Sequence, residues 1–194
     1  MRVFVAAVAT GLFLPLTAAA QQPASKASTL SKEQYIAEAE KAAPPAISAK
    51  AAIIHLAHGG KVTKYREGTN GFTCLFGLPG DPKEAPLCAD ANALQWLIDA
   101  MSGKPKPTNT AAGIAYMGAG GAHYENAAGE SVMEPAPGGR IVDEPPHWMV
   151  FAPFDPKTTG FPTKASAGGA YIMFAGTPYS HLMIHQDPAT IIPK

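Results

Sequence analysis

Between residues 90 and 103 the apolar side chains Leu94, Leu97, Ile98 and Met101 return at helical spacing, bracketed by Asp90 and Gly103. Residues three and four apart share a helical face, so the pattern predicts a helix with one buried stripe, capped by Asp90 and ending at Gly103 before Pro105 and Pro107. An earlier helix is signalled by Ser31 with Gln34 three residues on, a capping box. Tyr35, Ile36, Ala39 and Ala43 then form one apolar face until Pro44-Pro45 stops it. Residues 47–58 carry two signals, because their alanine content favours helix while Ile53-Ile54-His55-Leu56 reads as a buried strand.

Val62–Arg66 and residues 72–76 flank Gly68-Thr69-Asn70-Gly71, whose Asn-Gly pair supplies the positive backbone angles of a tight turn, and the pattern predicts a hairpin. The C-terminal half carries short β-type runs, Gly113–Met117, 147–154, 170–175 and 180–185, between turn-rich stretches at 118–121, 135–139 and 156–162. Trp148-Met149-Val150-Phe151 and Tyr171-Ile172-Met173-Phe174 are apolar at every position, as expected of central strands covered on both sides. The expected fold is α+β: a single domain over 31–194, with a central largely antiparallel sheet, two packed helices and one disulfide-clipped loop.

Composition sets the compartment more than the chemistry. The chain has 194 residues, 46% hydrophobic and 15% charged, with 15 basic side chains against 15 acidic ones. Nothing in that balance would draw in a phosphate backbone, so nucleic acid is not an expected partner. Residues 1–20 open with Arg2, run apolar from Val3 to Leu16 and close with Ala18-Ala19-Ala20, the pattern of a cleaved signal peptide. The apolar run is 14 residues and contains Pro15, short of the ~20 needed to span hydrocarbon. Residues 21–30 read as a flexible lead-in, and the mature protein as exported, periplasmic or extracellular, with no membrane insertion. Cys74 and Cys88 have 13 residues between them and, in an oxidising compartment, are expected to form a structural disulfide that stabilises by about 3 kcal/mol. The spacing is not the Cys-x-x-Cys of a redox enzyme.

With GTNGFTC at 68–74, a second Cys followed by Asp90, a Tyr116-Met117 strand, Pro146-His147-x-Met149 and GTPYSHLMI at 176–184, the chain resembles a family of uncharacterised secreted bacterial proteins. The resemblance implies a single exported domain over most of the mature chain. It implies no activity, cofactor or catalytic residue.

Candidate chemistry concentrates in two His-x-Met steps, His147-x-Met149 and His181-x-Met183, the second continuing to His185. Residues two apart on a strand project from the same face. If the two strands pair, His147, Met149, His181, Met183 and His185 would line one surface, with Met173 on a third strand nearby. Imidazole and neutral thioether form a soft donor set suited to Cu(I), so copper is the expected metal if one is held. The competing expectation is ordinary core packing, in which Met fills irregular gaps and His keeps a backbone hydrogen bond. A one-residue slip of register would separate the two sets.

Other motifs carry less. His55-x-x-His58 would share a face only on a helix, and lacks the His-Glu-x-x-His arrangement of a zinc hydrolase. No Gly-x-Ser-x-Gly elbow is present, and Ser180 and His181, being neighbours on a strand, would point to opposite faces. Gly118-Ala119-Gly120-Gly121 lacks the Gly-Lys-Ser/Thr of a phosphate loop. The aromatic residues from Trp148 to Tyr179 would build either core or an apolar pocket. The expected function is therefore a non-catalytic binding or structural module of the cell envelope, its partner a small ligand or an envelope protein. The alternative is a Cu(I)-binding protein using the two His-x-Met strands, and the third reading a hydrolase.

Overall fold

A computed structural model describes residues 25–165 and 169–191. The leader expected over 1–20 and the first four residues of the lead-in lie outside the described residues. From Ser25 the chain already packs on the domain. Lys26–Thr29 form a 3-10 turn and Ala27 is buried against the disulfide side of the core.

Helix α1 (Lys32–Glu40) begins where its capping box says it should: Ser31 Oγ accepts from Gln34 N–H and the Gln34 side chain accepts from Ser31 N–H. A single turn, α2 (Pro45–Ser48), follows, then strand β1 (Ala52–Leu56), so residues 47–58 resolve into a turn and a strand. His55 lies on that strand with its ring edge-on to Tyr35, and His58 opens a short 3-10 turn, so the helical spacing proposed for a metal pair does not arise.

Next come β2 (Val62–Arg66), β3 (Thr73–Leu75), β4 (Leu87–Ala89), α3 (Ala91–Met101) and β5 (Gly113–Met117). The chain then runs through β6 (Gly121–Glu125), β7 (Ser131–Val132), β8 (Arg140–Glu144), β9 (His147–Phe151), the one-turn α4 (Pro156–Thr159), β10 (Ala170–Met173) and β11 (His181–Ile184). Eight strands form one sheet in the order β10-β11-β9-β5-β4-β3-β1-β2, and three form a second in the order β7-β6-β8. Every pairing is antiparallel except β1 with β3. The fold is thus α+β and mostly antiparallel, as expected, with α1 and α3 as its two long helices.

The expected hairpin is corrected. β2 and β3 do not pair, because β1 lies between them, antiparallel to one and parallel to the other. The 68–71 loop is tied across the end of β1: Thr69 N–H donates to Lys50 O and the Asn70 amide to Ile47 O. Gly68 presses so closely on β1 that a Cβ there would lie 2.2 Å from Ala52 N. These long-range contacts, not the local turn preference of Asn-Gly, decide where the strands go. The β10 run, apolar at each position, is likewise an edge strand and not a central one. Its outer rim is covered locally, with Ile172 N–H donating to Pro162 O.

Two cores lie on opposite faces of the large sheet. On one, α1 covers β1, β3 and β4 through Tyr35 and Ala39, over the Cys74–Cys88 disulfide, whose residues are directly opposite each other on β3 and β4. On the other, α3 inserts Ala93, Trp96 and Leu97, shifting its buried stripe from the expected Leu94, Ile98 and Met101, which are half-buried beside it. Asp90 fixes this helix to β5, accepting Ala93 N–H as the cap with one oxygen and Ile114 N–H with the other. The β7-β6-β8 sheet stands beside α3 and closes the same face. Its presence was not legible in the pattern of apolar residues. Among the described residues no helix is long and apolar enough to cross a membrane.

Candidate functional site

Strand register brings the His-x-Met residues to one face. In an antiparallel pair, directly opposite residues project to the same side. Met149 of β9 is opposite Met183 of β11 and Ala115 of β5, His147 is opposite Met117, and Met173 of β10 is opposite His181. His147, Met149, Met173, His181 and Met183 all line one cavity of about 120 Å³, bounded by the sheet, α3, the second sheet and the 78–81 loop. His185 follows β11 but turns its ring to Glu144 and does not line the cavity.

The sequence holds seven methionines, and the six after Met1 (Met101, Met117, Met133, Met149, Met173 and Met183) all line this cavity. Met149 and Met183 lie deep, at 3% and 2% exposure, while Met133 is 40% exposed. Met101, Met117 and Met133 were not among the candidates read from the sequence. Spacing places Met101 on a helix stripe and Met117 on a strand, but only the fold brings them to the cavity. At the start of β6 a Cβ on Gly121 would lie 2.6 Å from Met117 Cε and 2.7 Å from Asp81 Oδ2, so any larger residue would push those side chains aside.

The three histidines of the cavity are held differently. His181 is sandwiched in aromatic rings, stacked on Phe151 with centroids 4.7 Å apart and edge-on to Trp96 at 5.1 Å, with Nδ1 3.2 Å from Tyr179 O. Burial pushes its pKa down to about 4, so it packs as a neutral ring. His147 has Nδ1 2.7 Å from Pro145 O. A carbonyl oxygen only accepts, so Nδ1 carries the proton and Nε2 is left with a bare lone pair. That Nε2 is buried and has no hydrogen-bond partner. Burial also lowers the pKa of His147, and nearby Glu144 and the Pro145 carbonyl oppose the shift without cancelling it.

His123, also missed by the sequence reading, stands among carboxylates: Nδ1 is 2.8 Å from Glu144 Oε1 and Nε2 3.5 Å from Glu125 Oε1. These are ion-pair distances without the alignment of a hydrogen bond. Glu144 also accepts from the Tyr171 hydroxyl and lies against His185 Nε2. Burial raises the Glu144 pKa, but His123 and Tyr171 outweigh it and hold the carboxyl below its ordinary value. Tyr171 is pushed well above the usual phenol range by burial and by that same carboxylate. Glu125 is held from outside by Arg140, whose Nε donates to Oε2 and whose Nη2 lies 2.7 Å from the same oxygen in an ion pair. Glu144, His123 and Asp81 therefore give an otherwise apolar cavity a polar wall.

Ser180, considered as a nucleophile, donates its hydroxyl to Phe154 O. Among the described residues the ring hydrogen bonds of His147 and His181 go to backbone carbonyls and that of His185 to the Glu144 carboxylate. Gly118-Ala119-Gly120-Gly121 turns the chain from β5 in one sheet to β6 in the other, with Gly118 N–H donating to Ala42 O. Among the described residues no three His, Cys, Asp or Glu side chains are arranged to hold a metal ion.

No protein-family model matches this chain, and no curated protein or solved structure does.

Proposed function

We propose that the chain is an exported, non-catalytic binding module and that its ligand is held in the methionine-lined cavity between the two sheets. The observation that carries this reading is the convergence of all six methionines after Met1 on one cavity with a bare ring nitrogen in its wall. A core packed for stability alone fills its volume and partners its buried polar atoms. Here flexible side chains that adapt to many shapes surround space, and a buried acceptor has no partner. Export is supported by the Arg2-to-Ala20 pattern and by a disulfide, which persists where thiols are oxidised.

Indole, a compact probe with one N–H donor, tests the cavity. The thermal midpoint is expected to rise with indole concentration, as mass action requires of a ligand that binds only the folded state. Ala100, which lines the cavity from α3, is the place to fill it. Ala100→Leu should keep the fold and lose the indole shift. A wild-type midpoint that does not move with indole, or a shift undiminished in Ala100→Leu, would count against this reading.

A further inference from the structure

We propose that the cavity is a site for a soft monovalent metal ion of the Cu(I) class, held by Nε2 of His147 with the thioethers of Met117, Met149 and Met183. This rests on the cavity being a ligand site, and it names the ligand.

Four observations lead there. The first is the state of His147. A histidine that ligates a metal through one nitrogen nearly always donates the other N–H to a carbonyl or carboxylate, which fixes the tautomer and aims the lone pair. His147 already has that arrangement: Nδ1–H donates to Pro145 O, and Nε2 is buried and free on a ring that borders the cavity.

The second is register. Met117 is directly opposite His147 across β5 and β9, Met149 is two residues along β9 on the same face, and Met183 is directly opposite Met149 across β9 and β11. Opposite residues on paired strands have Cβ atoms roughly 5 Å apart. One imidazole and three thioethers thus share a single patch of sheet, and Ala115, the neighbour of Met149 on the other side, adds little bulk there.

The third is the kind of donor. No set of three His, Cys, Asp or Glu side chains is placed to hold a metal among the described residues, so the zinc and calcium chemistries, which need such sets, have no counterpart here. Sulfur is what the cavity offers in quantity. Neutral thioethers suit Cu(I), which prefers soft ligands, and require no deprotonation.

The fourth is charge. A cation in an apolar cavity needs a compensating charge nearby. Glu144, buried and held as a carboxylate, lines the same cavity. His181 and Met173, on the same face, stand apart from this set because the His181 ring is enclosed by Trp96, Phe151 and Phe174.

The test is an anaerobic competition titration of the purified protein, disulfide intact, with Cu(I) against a chromogenic Cu(I) chelator, with indole binding measured in parallel. The intact disulfide keeps thiolates out of the result. One Cu(I) per chain is expected, with affinity falling roughly tenfold or more in Met149→Leu/Met183→Leu, a change that keeps the volume of the lining. The X-ray absorption spectrum of the wild-type Cu(I) complex, which needs no variant to fold, should show sulfur together with nitrogen around copper. Failure to compete, a Leu double variant that binds as wild type does, or a copper shell of nitrogen and oxygen alone would overturn the proposal. Indole binding without Cu(I) competition overturns the metal site and leaves the ligand cavity standing. Absence of both overturns the two readings together.

Discussion

On the α1 side of the large sheet the buried hydroxyl of Tyr35 lies 2.9 Å from Ile54 O and 2.8 Å from Phe76 O and accepts Phe76 N–H at 3.0 Å, while on the cavity side the buried ring of His147 leaves one nitrogen with nothing. The Tyr35 ring also meets His55, Tyr65 and Phe76 edge-on, and a covalent bond crosses the adjacent strands beneath it. On the cavity side, among the described residues, the buried polar atoms without a hydrogen-bond partner are Nε2 of His147 on the large sheet and both ring nitrogens of His123 on the small one, and volume is left open, while the unpartnered Trp148 Nε1 belongs to the opposite face of β9. An unpartnered buried acceptor costs about 1–3 kcal/mol. One sheet therefore carries a face that concentrates stabilising contacts and a face that tolerates a cost, and the second is where a ligand would gain most by binding.

The largest test of that contrast is to cut the disulfide. Cys74→Ala/Cys88→Ala should lower the free energy of unfolding by about 3 kcal/mol, read from urea midpoints, since the bond closes a 14-residue separation in the unfolded chain. The cavity lies on the other face, so indole binding measured well below the new midpoint should be unchanged. A loss of binding equal to the loss of stability would mean the two faces act as one unit.

Acid offers a second test, on the helix that walls the cavity. Asp99 of α3 is fully buried, which raises its pKa, but hydrogen bonds from Lys104 Nζ, the Thr108 hydroxyl and N–H, and Gln95 outweigh burial and bring it down to about 2. A carboxylate whose folded pKa lies below its unfolded value contributes stability that is complete above the unfolded pKa and disappears as pH falls through the folded one. The window is thus from 3.8 down to about 2, and the contribution on the order of 2 kcal/mol. Wild type should lose that much more stability than Asp99→Asn between pH 5 and pH 2 in urea titrations. Parallel curves for the two proteins would show that the Asp99 cluster contributes nothing beyond its hydrogen-bond geometry.

How much of this was readable beforehand follows the range of the interactions involved. The capping box of α1 and the Asp90 cap of α3 are local, and Ser31, Gln34 and Asp90 do what their spacing says, whereas the buried stripe of α3 moved to Ala93, Trp96 and Leu97 under the pull of tertiary packing. Period two made the faces of His147-x-Met149 and His181-x-Met183 legible, and the pairing of β9 with β11 brought them together. What period two could not supply was the neighbour on the other side: Met117 joins the set only because β5 pairs with β9. The second sheet escaped for a different reason. In β6 the most buried side chains include the polar His123 and Glu125, so hydrophobic alternation is absent where the strand runs. The 68–71 loop misled because Asn-Gly favours a tight turn only when nothing longer-range competes for its backbone, and here β1 does.

The smallest expected effect separates the two faces most cleanly. If Met149 and Met183 are present to fill core, exchanging both for leucine changes shape without changing volume much and should disturb packing, at a cost of roughly 1 kcal/mol per site. If they border space and serve a ligand, the surroundings can absorb the branch, and Met149→Leu/Met183→Leu should unfold within about 1 kcal/mol of wild type in urea. Leucine also restores the rotamer definition that methionine lacks, which offsets part of any loss. A near-neutral stability change is then the signature of a lining kept for its sulfur. A destabilisation of about 2 kcal/mol or more would instead assign both side chains to the core, and make the cavity face a packed one like the face beneath α1.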